Sequence, residues 1–425
     1  MTTIAVSTDD VLPETTVIRS WKTPIALAVF TVLFGILIFA APRAGETTFR
    51  LSSSTDAIQL PDLVLPVMPT VIVCLVLLAL LTALSAFLVR SRAHSPLWLV
   101  VLYVLVAIVG FLTWAASGAA LPVPGLLAGA LGLAVPLIYG ALTGVIGERV
   151  GIVNIAIEGQ LLAGAFTAAV VGTITGSPIA GMLAAMVSGA LVAFVLAAFA
   201  IKYVVDQVIV GVVLNVLVTG LTSFLYSQVL QSNAAELNAP PRLDRIPIPL
   251  LSDIPIIGPV FFRQTLLVYI MYIAVFAVWF AMFRTRWGLR LRAVGEHPQA
   301  ADTVGIKVNP TRFWNVLMAG AIAGLGGTVF TIGNGIAFNK EMTAGAGFIA
   351  LAAVIFGQWD PIKATLAALL FGFASSLQNS LSVIGSPVPS EFMLMLPYLV
   401  TIFVVAGVVG KSRAPAADGV AYVKA

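Results

Sequence analysis

Apolar residues along this chain fall into twelve runs with polar stretches between them, at 24–41, 66–89, 97–117, 124–146, 153–175, 179–201, 208–229, 265–283, 313–333, 346–358, 364–383 and 392–410. Most approach the roughly 20 residues that a helix needs to cross ~30 Å of hydrocarbon. They are continuous rather than alternating, which argues against the strands of a membrane β-barrel. Inside lipid every backbone polar group must be paired within its own segment, so the runs predict helices. The run at 346–358 is too short to cross alone and reads as a re-entrant segment. The pattern therefore predicts an all-α polytopic membrane protein with about 10–12 membrane helices, re-entrant segments included. Arg19 and Lys22 precede the first run, and small residues follow it at 40–44. A signal peptide has the same form, but an uncleaved first span is the reading taken.

Composition agrees with the pattern. Of 425 residues, 60% are hydrophobic and 9% charged, where a soluble domain carries about a quarter charged residues. The one cysteine, Cys74, excludes an intrachain disulfide, and two histidines, His94 and His297, make a His- or Cys-based metal centre unexpected. The net charge of +4 is read as basic loops on one side of a membrane, and no nucleic-acid partner is expected. With all twelve runs crossing and the N-terminus inside, the inside holds Arg19, Lys22, Arg90, Arg92, Arg149, Lys202, Arg284, Arg286, Arg290, Arg292, Lys307, Arg312, Lys363, Lys411, Arg413 and Lys424. The outside holds Arg43, Arg50, Arg242, Arg245, Arg263 and Lys340. Sixteen against six follows the positive-inside rule and predicts both termini in the cytoplasm.

Three regions are expected. Residues 1–117 form an N-terminal extension of about three plain spans, 118–412 a glycine-rich core, and 413–425 a flexible cytoplasmic tail. Two outer loops, 42–62 and the proline-rich 230–264, are long enough to be surfaces. Gly410-Lys411-Ser412 imitates the end of a phosphate-binding loop, but Val405 stands where its first glycine belongs. Gly345 to Ala350 fits a loose dinucleotide pattern without the strand that should precede it. Any ATP must then be bound by another chain.

Three motifs carry chemistry. GERVGIVNIAIEGQ at 147–160 takes Asn154, Glu158 and Gln160 into an apolar run. A charge at mid-bilayer costs about 2.5–3.5 kcal/mol on insertion scales, so such residues face a polar cavity or a partner. Asn154 and Glu158 are four apart, and on a helix they would share one face. That face either lines a translocation path or fixes helix packing by hydrogen bonds. Asn215, Gln378 and Asn379 are further polar positions in runs, open to the same two readings; Asp206 and Gln207 stand at the edge of one. The second motif, RTRWGLRLRAVGEHPQAADTVGIKVNPTRF at 284–313, is a long basic loop. Proline in the first turn of a short helix at 298–304 suits a docking element for a soluble partner. The third, GFIALAAVIFGQWDP at 347–361, ends on a polar break at Gln358, Trp359 and Asp360. Interrupted helices of this kind leave backbone free to line a cavity.

These segments, with VDQVIVGVVLN at 205–215, resemble in their order the permease subunits of ABC importers. The resemblance is to the nucleoside and simple-sugar branch, related to the branched-chain amino-acid permeases, and covers about 118–412. It implies a type II importer fold in a bacterial inner membrane. It also implies a second related permease subunit, usually giving a heterodimer, a cytoplasmic ATP-binding subunit holding ATP and Mg, and an extracytoplasmic substrate-binding lipoprotein. This chain itself would hold no cofactor. Carried over residue by residue, Arg290, Arg292, Gly295, Glu296, Pro298, Ala300 and Ala301 would couple to the ATPase. The expected function is ATP-driven nucleoside uptake by alternating access; simple sugars and branched-chain amino acids are the alternative cargoes. A secondary carrier coupled to protons or sodium is disfavoured because Glu158 alone lies clearly inside a run. A non-transporting scaffold is a third reading. A membrane enzyme is the weakest, since no paired carboxylates, metal cluster or activated nucleophile is visible.

Overall fold

The computed structural model describes residues 21–53, 56, 58–91, 95–385, 395 and 413–424. The run at 392–410 apart from residue 395, the basic residues Arg19, Arg92 and Lys411, and His94 lie outside the described residues. Among the described residues, ten helices are long and apolar enough to cross a membrane, which makes this a multi-pass helical membrane protein.

The chain divides into two compact units. Among the described residues, the smaller holds most of those up to 118 and contains three helices, α1 (Lys22–Ala40), α2 (Val67–Arg90) and α3 (Leu97–Ala115). Their sequences are nearly all apolar, so only a thin seam distinguishes one face from another. Leu27, Leu78, Leu99 and Tyr103 form that seam. The Thr31 hydroxyl lies 2.9 Å from the Tyr103 hydroxyl and 3.1 Å from that of Thr82, which joins the three helices. Phe39, Phe87, Leu97 and Leu105 are exposed, as side chains meeting lipid should be.

The larger unit is built round α4 (Val123–Arg149), on which α12 (Val308–Gly327), α13 (Ala346–Phe356) and α14 (Pro361–Val383) pack. Two further spans, α5 (Ile157–Thr175) and α6 (Pro178–Ala197), lie against each other and against α12. The unit is completed by α7 (Gln207–Leu225) and α9 (Leu266–Arg284), with the one-turn α8 (Ala234–Leu237) between them. Small residues let these backbones approach, since lipid offers helices no hydrophobic reason to associate. Gly140 and Gly144 of α4 face Ala350 and Val354 of α13, while Gly320 and Gly324 of α12 face Gly189 and Ala185 of α6. The pair four residues apart at Gly125 and Gly129 is different: only Gly129 meets a neighbouring helix, at Ser376 of α14.

Helix starts follow local chemistry. Asp206 accepts hydrogen bonds from Val208 N and Ile209 N to cap α7. Asp360 does the same for Ile362 N and Lys363 N, with Pro361 in the first turn of α14. The eleven residues of α13 rise only about 16 Å, half the hydrocarbon thickness.

The expected outer loops carry short strands. Residues 48–50 pair in parallel with β1 (Ala120–Pro122), and β2 (Arg245–Pro247) pairs antiparallel with β3 (Arg263–Thr265). Arg263 joins the two loops through ion pairs to Asp56 at 3.1 Å and Asp253 at 3.7 Å.

Two expectations need correction. The backbone at 151–156 is not helical, and α5 begins only at Ile157. Asn154 and Glu158 therefore do not share a helix face. The tail at 413–424 was expected to be flexible, yet it is joined to the basic motif by a backbone hydrogen bond from Ala417 N to Gly295 O and a side-chain one from Arg312 to Val420 O.

Candidate functional site

The interruption at 151–156 exposes backbone groups that lipid could not satisfy. Two polar side chains of α7 satisfy two of them and also bond the first turn of α5. Gln207 Oε1 accepts the Val153 N–H at 2.7 Å, Asn215 Nδ2 donates to Ile155 O at 2.9 Å, and Asn215 Oδ1 accepts the Gly159 N–H at 2.8 Å. Asn154 and Gln160 bond to each other through both amides, at 3.1 and 3.4 Å. All five of Gln207, Asn215, Asn154, Gln160 and Glu158 are buried.

Glu158 ties this segment to a second one. Its Oε1 accepts from the Thr343 hydroxyl at 2.6 Å and from Gly345 N at 2.9 Å, and its Oε2 accepts from Gly347 N at 2.6 Å. Gly345 is the N-cap of α13. An anion at a helix N-terminus meets orphan N–H groups and the positive end of the dipole. The intramembrane carboxylate thus replaces the missing cap of a short helix almost 190 residues away. A Cβ at Gly347 would overlap the Glu158 backbone, so the contact also needs that glycine. Gln378 and Asn379 are placed elsewhere, on α14, half-buried and exposed respectively. Among the described residues no hydrogen bond joins them to this cluster.

A second cluster forms at the end of the bundle that carries the basic loop. There α10 (Arg286–Glu296) and α11 (Pro298–Thr303) follow α9 directly. Thr285 caps α10 by accepting from Gly288 N at 3.3 Å. Gly288, Leu291, Val294 and Gly295 form its buried side, and Arg286, Leu289 and Arg290 its exposed one. A Cβ at Gly295 would overlap the Arg149 carbonyl oxygen, so glycine alone lets α10 meet the end of α4. Arg149 also donates from Nε to Trp359 O at 3.0 Å and from Nη2 to Gln358 O at 3.4 Å. The Trp359 indole N–H donates to the Glu148 carboxylate. Gln358 and Trp359 both have left-handed backbone, at φ 53° and 55°, a strained state that persists only where the surroundings over-determine it. Here Glu148 and Arg149 do so. All three sequence motifs meet at this point.

Of the residues expected to couple to an ATPase, Arg290, Glu296 and Ala300 are exposed, Arg292 and Pro298 are half-buried, and Gly295 and Ala301 are buried. Arg292 stays within its own region, with Nε 3.4 Å from Gly288 O and its guanidinium over the Phe283 ring.

Sequence reasoning missed Arg312, which is 1% exposed. Its Nη1 donates to Val420 O at 2.7 Å and its Nη2 lies 3.5 Å from Ala417 O. The signal was present: an arginine at the mouth of an apolar run asks for a buried partner. Asp418 faces it from the tail, and burial pushes that carboxyl up to about 7, against the lowering pull of the Gly419 backbone and Arg312. Also missed was the clamp in which Asn238 Oδ1 accepts from Phe338 N at 2.7 Å and Nδ2 donates to Phe338 O at 3.0 Å.

The profile of the family described as "Branched-chain amino acid transport system / permease component" matches residues 126–405. The guanosine ABC transporter permease protein NupQ of Bacillus subtilis is 42% identical over 300 residues, 68% of this chain and 94% of the relative. The nucleoside ABC transporter permease protein NupC of Lactococcus lactis subsp. cremoris is 39% identical over 302 residues, 68% of this chain and 93% of the relative. The putative glucose ABC transporter permease protein TsgC13 of Haloferax volcanii is 34% identical over 300 residues, 66% and 91% of the two chains. No solved structure matches the chain.

Proposed function

Because the chain belongs to the branched-chain amino acid transport system permease family, we propose that it is the membrane-spanning subunit of an ATP-driven nucleoside importer. The observation that carries this reading is the alignment with the guanosine permease along 94% of that relative's length. A match so complete spans the whole transport body of the relative, not one shared motif.

In this reading the basic loop is cytoplasmic and α10–α11 is the handle on which an ATP-binding subunit pulls. The exposed Arg290, Glu296 and Ala300 offer charge and a small flat surface for docking. Gly295, pressed on the Arg149 carbonyl, passes displacement to the end of α4. From there the Arg149 and Glu148 bonds to Gln358 and Trp359 reach the junction of α13 and α14. ATP and Mg belong to the partner, and this chain performs no hydrolysis. A second related permease would complete the path, and an extracytoplasmic lipoprotein would deliver the solute.

The 154–215 polar cluster spends its hydrogen bonds on the two interrupted segments. It supports a role in holding the path's walls rather than touching solute. Gln378 and Asn379 retain surface, which makes them the better candidates for the path itself. The same fold could carry a sugar, and the glucose-permease relative favours that second reading. Uptake of labelled guanosine and labelled glucose by cells with and without this chain separates them. Loss of guanosine uptake on deletion, restored by the intact chain, is expected. Loss of glucose uptake alone would overturn the nucleoside assignment.

A further inference from the structure

The C-terminal segment was expected to hang free, yet it is fastened at several points. Ala417 N donates to Gly295 O at 2.9 Å and Ala416 N to Glu296 Oε2 at 3.2 Å, joining the segment to the end of α10. Lys424 reaches Asp302 of α11 at 3.7 Å. The other side of the segment is held by Arg312 of α12 through Val420 O and Ala417 O. Gly151, at the end of α4, has φ 88° and no room for a Cβ: it would lie 2.6 Å from Arg312 Nη2 and 3.0 Å from Ala417 O. A segment that touches α10 and α11 on one side and the ends of α4 and α12 on the other is a mechanical link.

The handle itself needs one. The helix α11 has six residues, and one turn and a half of helix is not stable alone. A pull applied to an unbraced handle would be dissipated in the loop rather than moved into the spans. We infer that residues 415–424 are a brace, which holds the handle helices α10 and α11 against α4 and α12 so that ATP-driven motion reaches the membrane. This assignment rests on the ATP-driven import proposed above. Arg312 acts here as a positioning residue, through the Ala417 and Val420 carbonyls.

The test uses the complete importer, with both permeases, the ATP-binding subunit and the binding protein, reconstituted in liposomes. Three chains are compared: unaltered, ending at residue 412, and carrying Ala417→Pro, which removes the N–H donated to Gly295. ATP hydrolysed and guanosine taken up are measured together, and the ATP-binding subunit retained on the purified permease is quantified. Both variants should keep the ATP-binding subunit while the ATP used per guanosine rises at least about fivefold, the scale of a typical coupling energy. An unchanged ratio would overturn the brace. So would loss of the ATP-binding subunit from the variants, because the segment would then be part of the docking face. Absence of ATP-dependent uptake in the unaltered importer would instead sink the proposed function. The docking of the segment is decided separately, by proteolysis of the unaltered protein: protection of residues 413–424 supports the brace, and rapid cleavage there overturns it whatever transport shows.

Discussion

The three leading helices and the helices at the centre of the larger unit are all apolar enough to span a bilayer, yet they are used in opposite ways. Of the most apolar stretch of α1, 17% is buried, whereas the figure for α4 is 67%. The buried helices are the less apolar ones. In water the rule runs the other way, because apolar surface seeks the interior. Lipid removes that drive, and association is left to close packing and hydrogen bonds. Glycines, threonines and amides mark the buried helices α4, α5 and α12, and the unbroken leucines and valines of α1 to α3 suit contact with lipid.

The two regions differ most in their buried polar contacts. Glu158→Ala removes the acceptor of the Thr343 hydroxyl and of the Gly345 and Gly347 amides. Each buried donor left unpaired costs about 1–3 kcal/mol, so a loss of at least about 3 kcal/mol is expected. Thermal unfolding in detergent should show it, with Glu158→Gln falling between the two. Equal melting of all three would remove the capping role. Next comes packing. A Cβ at Gly324 of α12 would overlap the Ala185 backbone, whereas one at Gly35 of α1 meets Leu75 at an ordinary 3.7 Å. Gly324→Ala should then destabilise by about 2–3 kcal/mol, and Gly35→Ala should be neutral or slightly stabilising because alanine is the better helix former. Similar effects at both sites would contradict the contrast between the regions.

Asn215→Leu keeps the branched outline of the side chain but orphans Ile155 O and Gly159 N–H, at a cost of about 2 kcal/mol. The smallest effect is local and depends on pH. The Asp418 carboxyl sits at about 7 in the folded chain, above its unfolded value. The docked tail therefore holds an extra proton between those values and loses stability as pH rises through about 7. Arg312 and Glu148 are the charged groups that act on Asp418. Amide exchange at 415–422 should be faster, relative to the intrinsic rate, at pH 8 than at pH 6. The opposite order would show that Arg312 keeps the carboxylate ionised.

What was legible in the sequence follows from locality. The run at 364–383 lies within α14, which starts three residues earlier where Asp360 caps it, and 346–358 read as too short because its length is a local fact. The run at 153–175 misled, because Val153 and Ile155 continue the apolar pattern through backbone that is not helical. Periodicity cannot see an interruption whose hydrogen bonds come from Gln207 and Asn215 on another helix. The bond from Glu158 to the 343–347 segment is equally hidden, as it joins residues far apart in the chain. Polar side chains inside runs announced that partners existed without saying which. The tail misled for a different reason: the alanines and glycine of 413–420 carry no pattern, and small residues are what a close backbone contact with Gly295 and Arg312 requires.

Liposomes carrying the complete importer can be loaded with ATP, or left without it under an imposed proton or sodium gradient, and labelled guanosine uptake followed in each. Uptake that needs ATP and persists when every ion gradient is collapsed is the predicted result. Uptake sustained by an ion gradient without ATP would contradict it.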